Sequence, residues 1–149
     1  MGKHDLVEPV LHDLKAEFFF AGAKIQPGKP IVFGKARGKY FFGLPGNPVS
    51  TLVTSQLFAK PLVEALAGAA PQPLRFLQAR LKSDIAVKPG LTRFLPASLS
   101  GELNRSEVEL VKWQGSGDVV SAAKADCYIV IPESCSSKLK GELVTILLM

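Results

Sequence analysis

Leu44-Pro45-Gly46-Asn47-Pro48-Val49-Ser50 follows an aromatic apolar run and precedes a helical pattern, so it predicts a strand, a tight loop and a helix. Pro45 presets φ for a turn, Asn47 is a good N-cap residue, and Pro48 suits the first helical position. Gly46 either takes a positive φ or lets a ligand approach the backbone. The free N–H groups of such a helix start suit an anion such as phosphate. The plain alternative is a strand-to-helix connector without a ligand.

The residues before this loop predict a helix and three strands. Apolar residues at helical spacing indicate an amphipathic helix from about Asp5 to Lys15. Phe18–Phe20 is interpreted as a short buried strand. Ile31–Phe33 and Tyr40–Phe42 flank turn residues and predict a hairpin.

The residues after the loop predict one long helix. Its apolar residues recur from Asn47 to Leu66; Pro61 should kink the helix and Gly68 should end it. The stretch at 69–73, which holds two prolines, is interpreted as a linker. We therefore place a domain boundary there, with predicted domains at 1–71 and 72–149.

The second predicted domain consists mainly of short strands separated by turn residues. Five such strands indicate a small β-barrel or sandwich, and one short helix is predicted from Asp118 to Lys124. The predicted strands are Leu74–Leu81, Thr92–Leu99, Glu107–Val111, Cys127–Ile131 and Leu143–Leu148.

Composition narrows the possible classes. With 47% hydrophobic and 21% charged residues, the chain has the composition of a globular protein rather than a disordered one. No apolar run approaches the roughly 20 residues of a membrane span, and no signal peptide is visible, so we expect no membrane partner and a cytoplasmic location. The formal net charge of +5 favours anionic partners. Nucleic acid is disfavoured, because no basic segment is interleaved with base-stacking aromatics.

The two cysteines are too few and too far apart for a metal motif. Cys127 lies in an apolar strand pattern and is predicted to be in the core. Cys135, in a serine-rich segment, is predicted to be a free thiol.

Four segments, in order along the chain, resemble the MoeA family, which includes the E domain of gephyrin. The loop at 44–50 is the most specific of them. Pro27-Gly28-Lys29-Pro30 precedes the hairpin as a similar segment does in that family, and Gly2-Lys3-His4-Asp5 is similar to its Gly-x-x-Asp segment. Gln114-Gly115-Ser116 matches a Gln-Gly-Ser of its C-terminal domain.

The resemblance implies a fold and a reaction. The implied fold class is α/β, with residues 1–71 as the C-terminal half of a three-layer molybdopterin-binding domain, followed by a small all-β barrel-like domain at 72–149. The implied reaction is insertion of molybdate into adenylylated molybdopterin with release of AMP, assisted by Mg²⁺. Because the family's members are longer, we expect a fragment with little activity alone, and a truncated sheet predicts a homo-oligomer.

The resemblance also implies roles for single residues. Asp5 would be catalytic and hold Mg²⁺, with a helix N-cap as the alternative of equal weight. Lys29 would neutralise phosphate or molybdate oxygens, or else is an exposed turn lysine. The implied substrate-binding residues are Pro45, Gly46, Asn47, Pro48, Ser50, Gln114 and Ser116. The alternative to substrate binding is helix capping for Ser50 and a structural role in a loop for Gln114 and Ser116.

Some positions depart from the family's pattern. Gln26 stands where the family commonly has Lys or Arg, Gly22 falls near an expected lysine, and Pro96 falls near an expected basic residue, with Arg93 close by. These changes remove positive charge. Either other residues compensate, or the activity is altered. A pterin- or phosphate-binding module without catalysis, or a protein-interaction module, is therefore the alternative function.

Overall fold

The N-terminal part contains a short helix and a small antiparallel sheet. The computed structural model describes residues 7–102, 105–112 and 118–149. The first elements are α1 (Val7–Asp13), β1 (Glu17–Ala21), β2 (Ile25–Gln26), β3 (Val32–Ala36) and β4 (Lys39–Gly43). The sheet order is β1-β3-β4. Arg37 and Gly38 join β3 to β4 with positive φ at both residues, which is the geometry of a two-residue hairpin turn. The predicted helix and hairpin are confirmed.

Strand β1 exists as predicted, but the prediction that it is buried is wrong. Phe18 is 39% exposed and Phe19 is 45% exposed. Their rings contact other aromatic rings of the same sheet: Phe18 meets Phe41 edge-on, and Phe19 lies 5.1 Å from Phe33 between centroids. An apolar run predicts a strand, but it does not specify whether a second layer covers it.

The long predicted helix is present, with a change of winding in its middle. Helix α2 spans Pro48–Thr54, a π-helical segment spans Ser55–Ala59, and α3 spans Lys60–Leu66. The wider turn ends at Ala59, two residues before Pro61, whose ring clashes with the carbonyl four residues earlier in a regular α-helix. Gly68 follows the last turn with a φ of +82°, as predicted for a helix end.

The C-terminal part is a closed β-barrel. Its elements are β5 (Phe76–Leu81), β6 (Ile85–Ala86), β7 (Thr92–Ser100), β8 (Glu107–Leu110), α4 (Val119–Ala122), β9 (Cys127–Ile131), β10 (Ser137–Lys138) and β11 (Leu143–Leu148). The larger sheet runs β2-β7-β8-β5-β11-β9, and a further pairing of β7 with β9 closes five of its strands on themselves. The five predicted strands and the barrel are confirmed, and α4 lies within the predicted short helix.

Strand β2 was not predicted, and it ties the N-terminal part to the barrel. It pairs in parallel with β7, with Ile25 opposite Thr92 and Gln26 opposite Arg93. The larger sheet therefore crosses the predicted boundary after residue 71, and that boundary stays a prediction. A three-layer α/β arrangement is not seen in residues 7–71, whose own sheet is antiparallel, so this part of the fold class also stays a prediction.

Two groups of buried side chains hold the structure together. The barrel interior is filled by small and branched residues, among them Ile129, Ile131 and Ile146. A second group packs Val53 of α2 against Phe94, Tyr128 and Leu147 of the barrel. Burial of this apolar surface holds the helix to the barrel. No helix among the described residues is long and apolar enough to cross a bilayer.

The two cysteines lie in different environments. Cys127 is fully buried in the barrel core, whereas Cys135 is partly exposed. Burial, assisted by the neighbouring Asp126 carboxylate, raises the pKa of the Cys127 thiol to about 12. The core position predicted for Cys127 is confirmed.

We expect a thiol reagent at pH 8 to modify Cys135 of the folded protein quickly and Cys127 only when the protein unfolds. With a pKa of about 12, roughly one Cys127 side chain in 10,000 is a thiolate at that pH, and the thiolate is the reacting form. An aromatic disulfide reagent releases a coloured thiolate when it reacts with a cysteine, and the absorbance of that thiolate measures the rates of both phases. Cys135→Ser should remove the fast phase and Cys127→Ala should leave it; fast modification of Cys127 would mean that the barrel opens readily.

Candidate functional site

The Pro27–Pro30 loop begins where β2 ends. The Gln26–Pro27 peptide bond is cis, and Gly28 has a φ of +110°. The loop folds back on the preceding residues, since the Ala23 N–H donates to the Lys29 carbonyl at 2.9 Å. Pro27 and Gly28 are buried, and Lys29 is exposed.

Gly28 packs directly against helix α2. A Cβ at this position would lie 2.5 Å from Cγ2 of Thr54 and 3.1 Å from Cδ1 of Ile25. Thr54 is itself fully buried, and its hydroxyl donates to the Ser50 carbonyl at 2.8 Å. The loop and the helix are therefore in contact at a position that only glycine fits.

The 44–50 loop starts α2 as predicted, with two differences. Asn47 occupies the N-cap position with an extended backbone, but its side chain makes no capping hydrogen bond. Thr51 instead holds the loop, because its hydroxyl donates to the carbonyls of Pro45 and Asn47. Gly46 is not among the glycines with positive φ, and a Cβ there would meet nothing within 4 Å. Two roles were predicted for Gly46, a positive φ and the close approach of a ligand to its backbone. Only the second is compatible with the structure.

Strand β7 of the barrel forms the third side of the candidate site, beside the Pro27–Pro30 loop and helix α2. Arg93 donates from Nη1 to the Gln26 side-chain oxygen and from Nη2 to the Lys88 carbonyl, the latter at 2.6 Å. Leu91 and Leu95 lie on either side of Arg93 in the sequence and supply apolar surface.

These three segments enclose a pocket of about 650 Å³. Its lining residues are Ile25, Gln26, Pro27, Gly28, Lys29, Pro30, Ser50, Leu91, Arg93 and Leu95. The described lining thus holds two cationic side chains, one buried hydroxyl and an apolar wall, and it includes no carboxylate. Such a lining attracts an anion and disfavours a cation.

The structure brings together some of the predicted site residues. Lys29 and Ser50 line the same pocket, whereas Pro45, Gly46, Asn47 and Pro48 are not among the residues that line it. Asp5, Gln114 and Ser116 lie outside the described residues. Their roles stay predictions.

Sequence reasoning did not place Arg93 in the site. The sequence marks Arg93 only as a basic residue near Pro96, and Gln26 only as a position where the family's positive charge is absent. Their pairing depends on β2, a strand of two residues that is too short to show a period of two in the sequence. A basic residue on a predicted barrel strand was the only available signal.

The described lining residues do not fit a magnesium ion. Mg²⁺ prefers carboxylate and other oxygen ligands, and the charged side chains of the described lining are both cations. No group of three or more His, Cys, Asp or Glu side chains within residues 7–102, 105–112 and 118–149 could hold a metal ion.

The barrel matches a known domain. Residues 78–149 match the MoeA C-terminal region (domain IV). The chain is also similar to a molybdopterin biosynthesis MoeA protein of Pyrococcus horikoshii, whose crystal structure superimposes with a TM-score of 0.80 at 35% identity, covering 97% of this chain and 34% of that one.

Two sequence relatives agree with the structural match. The chain is 38% identical over 142 residues to the molybdenum cofactor synthesis protein cinnamon of Drosophila melanogaster, covering 93% of this chain and 23% of that protein. It is 33% identical over 151 residues to a molybdopterin molybdenumtransferase of Haemophilus influenzae, covering 98% of this chain and 36% of that one.

The chain therefore belongs to the MoeA family, and it corresponds to the C-terminal portion of that family's proteins. It spans about a quarter to a third of the length of these relatives.

We expect Gly28→Ala to destabilise the protein and Gly46→Ala to leave its stability nearly unchanged. Backbone strain at a positive φ costs about 1–3 kcal/mol, and the added methyl group of Gly28→Ala would also overlap Thr54. Gly46 has neither constraint. Urea unfolding of both variants measures the difference, and equal midpoints would contradict the packing described for Gly28.

Proposed function

We propose that this chain takes part in molybdenum cofactor synthesis and that its pocket binds the anionic group of a molybdopterin-type substrate. The observation that carries the proposal is the pocket lining, which includes Lys29 and the buried Ser50 and, among its described residues, no carboxylate. The relatives named above support the choice of substrate, since one is a molybdopterin molybdenumtransferase and another a molybdenum cofactor synthesis protein.

The pocket residues suit tetrahedral oxyanions. Lys29 supplies a point charge for phosphate or molybdate oxygens, and Ser50 can donate a hydrogen bond to the same group. The apolar wall formed by Ile25, Leu91 and Leu95 lowers the local dielectric, which strengthens both interactions. The chain's own residues thus bind and orient an anionic substrate.

The specific reaction that we propose is insertion of molybdate into adenylylated molybdopterin with release of AMP. Positive charge near the phosphates would stabilise the leaving group in such a reaction. Binding without turnover is the second candidate, and the pocket lining favours it, because its described residues include two cations and no carboxylate for general acid–base work or for a metal ion.

We expect the chain to bind adenylylated molybdopterin and Lys29→Ala to weaken that binding about 10- to 100-fold, the range for losing a charge-assisted hydrogen bond. Fluorescence titration of the pterin measures the affinity. Lys82→Ala is the matched control, because it removes the same charge from an exposed barrel position that pairs with Glu109.

An AMP assay with molybdate and Mg²⁺ separates the two candidates. AMP release that requires Lys29 supports the transferase, and binding without AMP release supports the binding module. Failure of the wild-type chain to bind the pterin would overturn the proposed function.

We also propose that the chain self-associates through the β1-β3-β4 sheet. Strands β1 and β4 are the edges of this sheet, and Phe18, Phe19 and Tyr40 on it are 39%, 45% and 47% exposed. Edge strands and exposed aromatic surface favour pairing with a second chain.

Sedimentation velocity should therefore show a coefficient that rises with protein concentration. Phe19→Lys should lower the association, whereas Leu66→Lys, on the exposed face of α3, should not. A monomer at all concentrations would contradict self-association.

A further inference from the structure

The Arg93 guanidinium is held in place by neutral groups only. Nη1 donates to the Gln26 amide oxygen and Nη2 donates to the Lys88 carbonyl. The three salt bridges found among the described residues join other side chains and do not include Arg93. Its positive charge is therefore oriented but not neutralised by a carboxylate within the described part of the chain.

The guanidinium also keeps unused donors. Of the five N–H groups of an arginine, the bonds to Gln26 and Lys88 use two. The Nε atom is buried and has no hydrogen-bond partner among the described residues. Because the Nε atom is covered by the protein, the donors that a ligand oxygen can reach are the N–H groups left on Nη1 and Nη2, whose bonds to Gln26 and Lys88 are exposed.

The position of Arg93 relates it to Lys29. Arg93 belongs to β7 of the barrel, whereas Lys29 belongs to the loop after β2, and both line the pocket. An anion bound between them would be held by one cation from each segment. A planar guanidinium suits two oxygens of one tetrahedral group, which a lysine does not.

We infer that Arg93 is an oxyanion-binding residue of this pocket and that Gln26 is the residue that positions it. The ligand class is a tetrahedral oxyanion, either a phosphate group or molybdate; the inference rests on the proposed function only for the identity of the substrate that carries this anion. Gln26 suits the role because a neutral amide oxygen orients the guanidinium without cancelling its charge. A basic side chain at position 26 would instead lie against a like charge.

Two titrations of the full chain, one with inorganic phosphate and one with molybdate, test the inference by calorimetry. We expect millimolar or tighter binding of at least one anion and a loss of tenfold or more in Arg93→Gln. Tighter binding of phosphate would identify a phosphate subsite, and tighter binding of molybdate a metal-oxyanion subsite; both support the inference. Arg80→Gln is the matched control, because Arg80 lies on β5 and bonds to the Gly141 carbonyl, away from the pocket.

Gln26→Glu distinguishes anion binding by Arg93 from a purely structural role in which Arg93 only holds β2 against β7. A carboxylate at position 26 keeps the acceptor for Arg93 and adds an ion pair, so the unfolding midpoint should stay the same or rise. It also places a negative charge in the pocket, so anion affinity should fall tenfold or more. An unchanged affinity in Gln26→Glu, or in a folded Arg93→Gln, would overturn the inference and leave Arg93 as a structural brace.

The outcomes also separate this inference from the proposed function. If phosphate or molybdate binds through Arg93 but adenylylated molybdopterin does not bind, the inference stands and the proposed function fails. If the pterin binds through Lys29 and Arg93→Gln binds it equally well, the proposed function stands and the inference fails. If the wild-type chain binds neither phosphate nor molybdate, the inference fails.

Discussion

The parallel pairing of β2 with β7 is the contact on which the candidate site depends. Only two residue pairs form it, Ile25 with Thr92 and Gln26 with Arg93. An additional backbone bond from the Thr92 N–H to the Lys24 carbonyl extends it. This short ladder brings the Pro27–Pro30 loop to the barrel, and packing of Val53 against Phe94 and Tyr128 brings helix α2 to the same place. Three segments far apart in the sequence thereby become three walls of one pocket.

The chemistry of the pocket follows from what these walls contribute. The loop supplies Lys29, the helix supplies Ser50, and the barrel supplies Arg93. Two cations that line one pocket without a carboxylate in its described lining repel each other, and an anion bound between them would offset that repulsion. The described lining therefore suits a tetrahedral oxyanion and does not suit a cation.

The predictions made for single residues near the site have different outcomes in the structure. The strand-loop-helix prediction around 44–50 is confirmed, because turn and cap preferences are local. The role predicted for Asn47 in capping is not observed, since Thr51 takes over the bonding of the loop. The sequence shows Gln26 only as a lost positive charge, whereas in the structure a cation from another strand, Arg93, lies directly opposite Gln26. Local preference could not reveal that neighbour.

What the sequence determined by itself was the set of local elements: the hairpin, the helix after Asn47, and the five barrel strands. Apolar periodicity, proline and glycine specify these within a few residues of the chain. The tertiary structure alone decided that the barrel closes through β7 and β9, that β1 stays exposed, and that Gln26 faces Arg93. The physical reason is that pairing, burial and the positions of charges depend on contacts between distant residues, which no local pattern encodes.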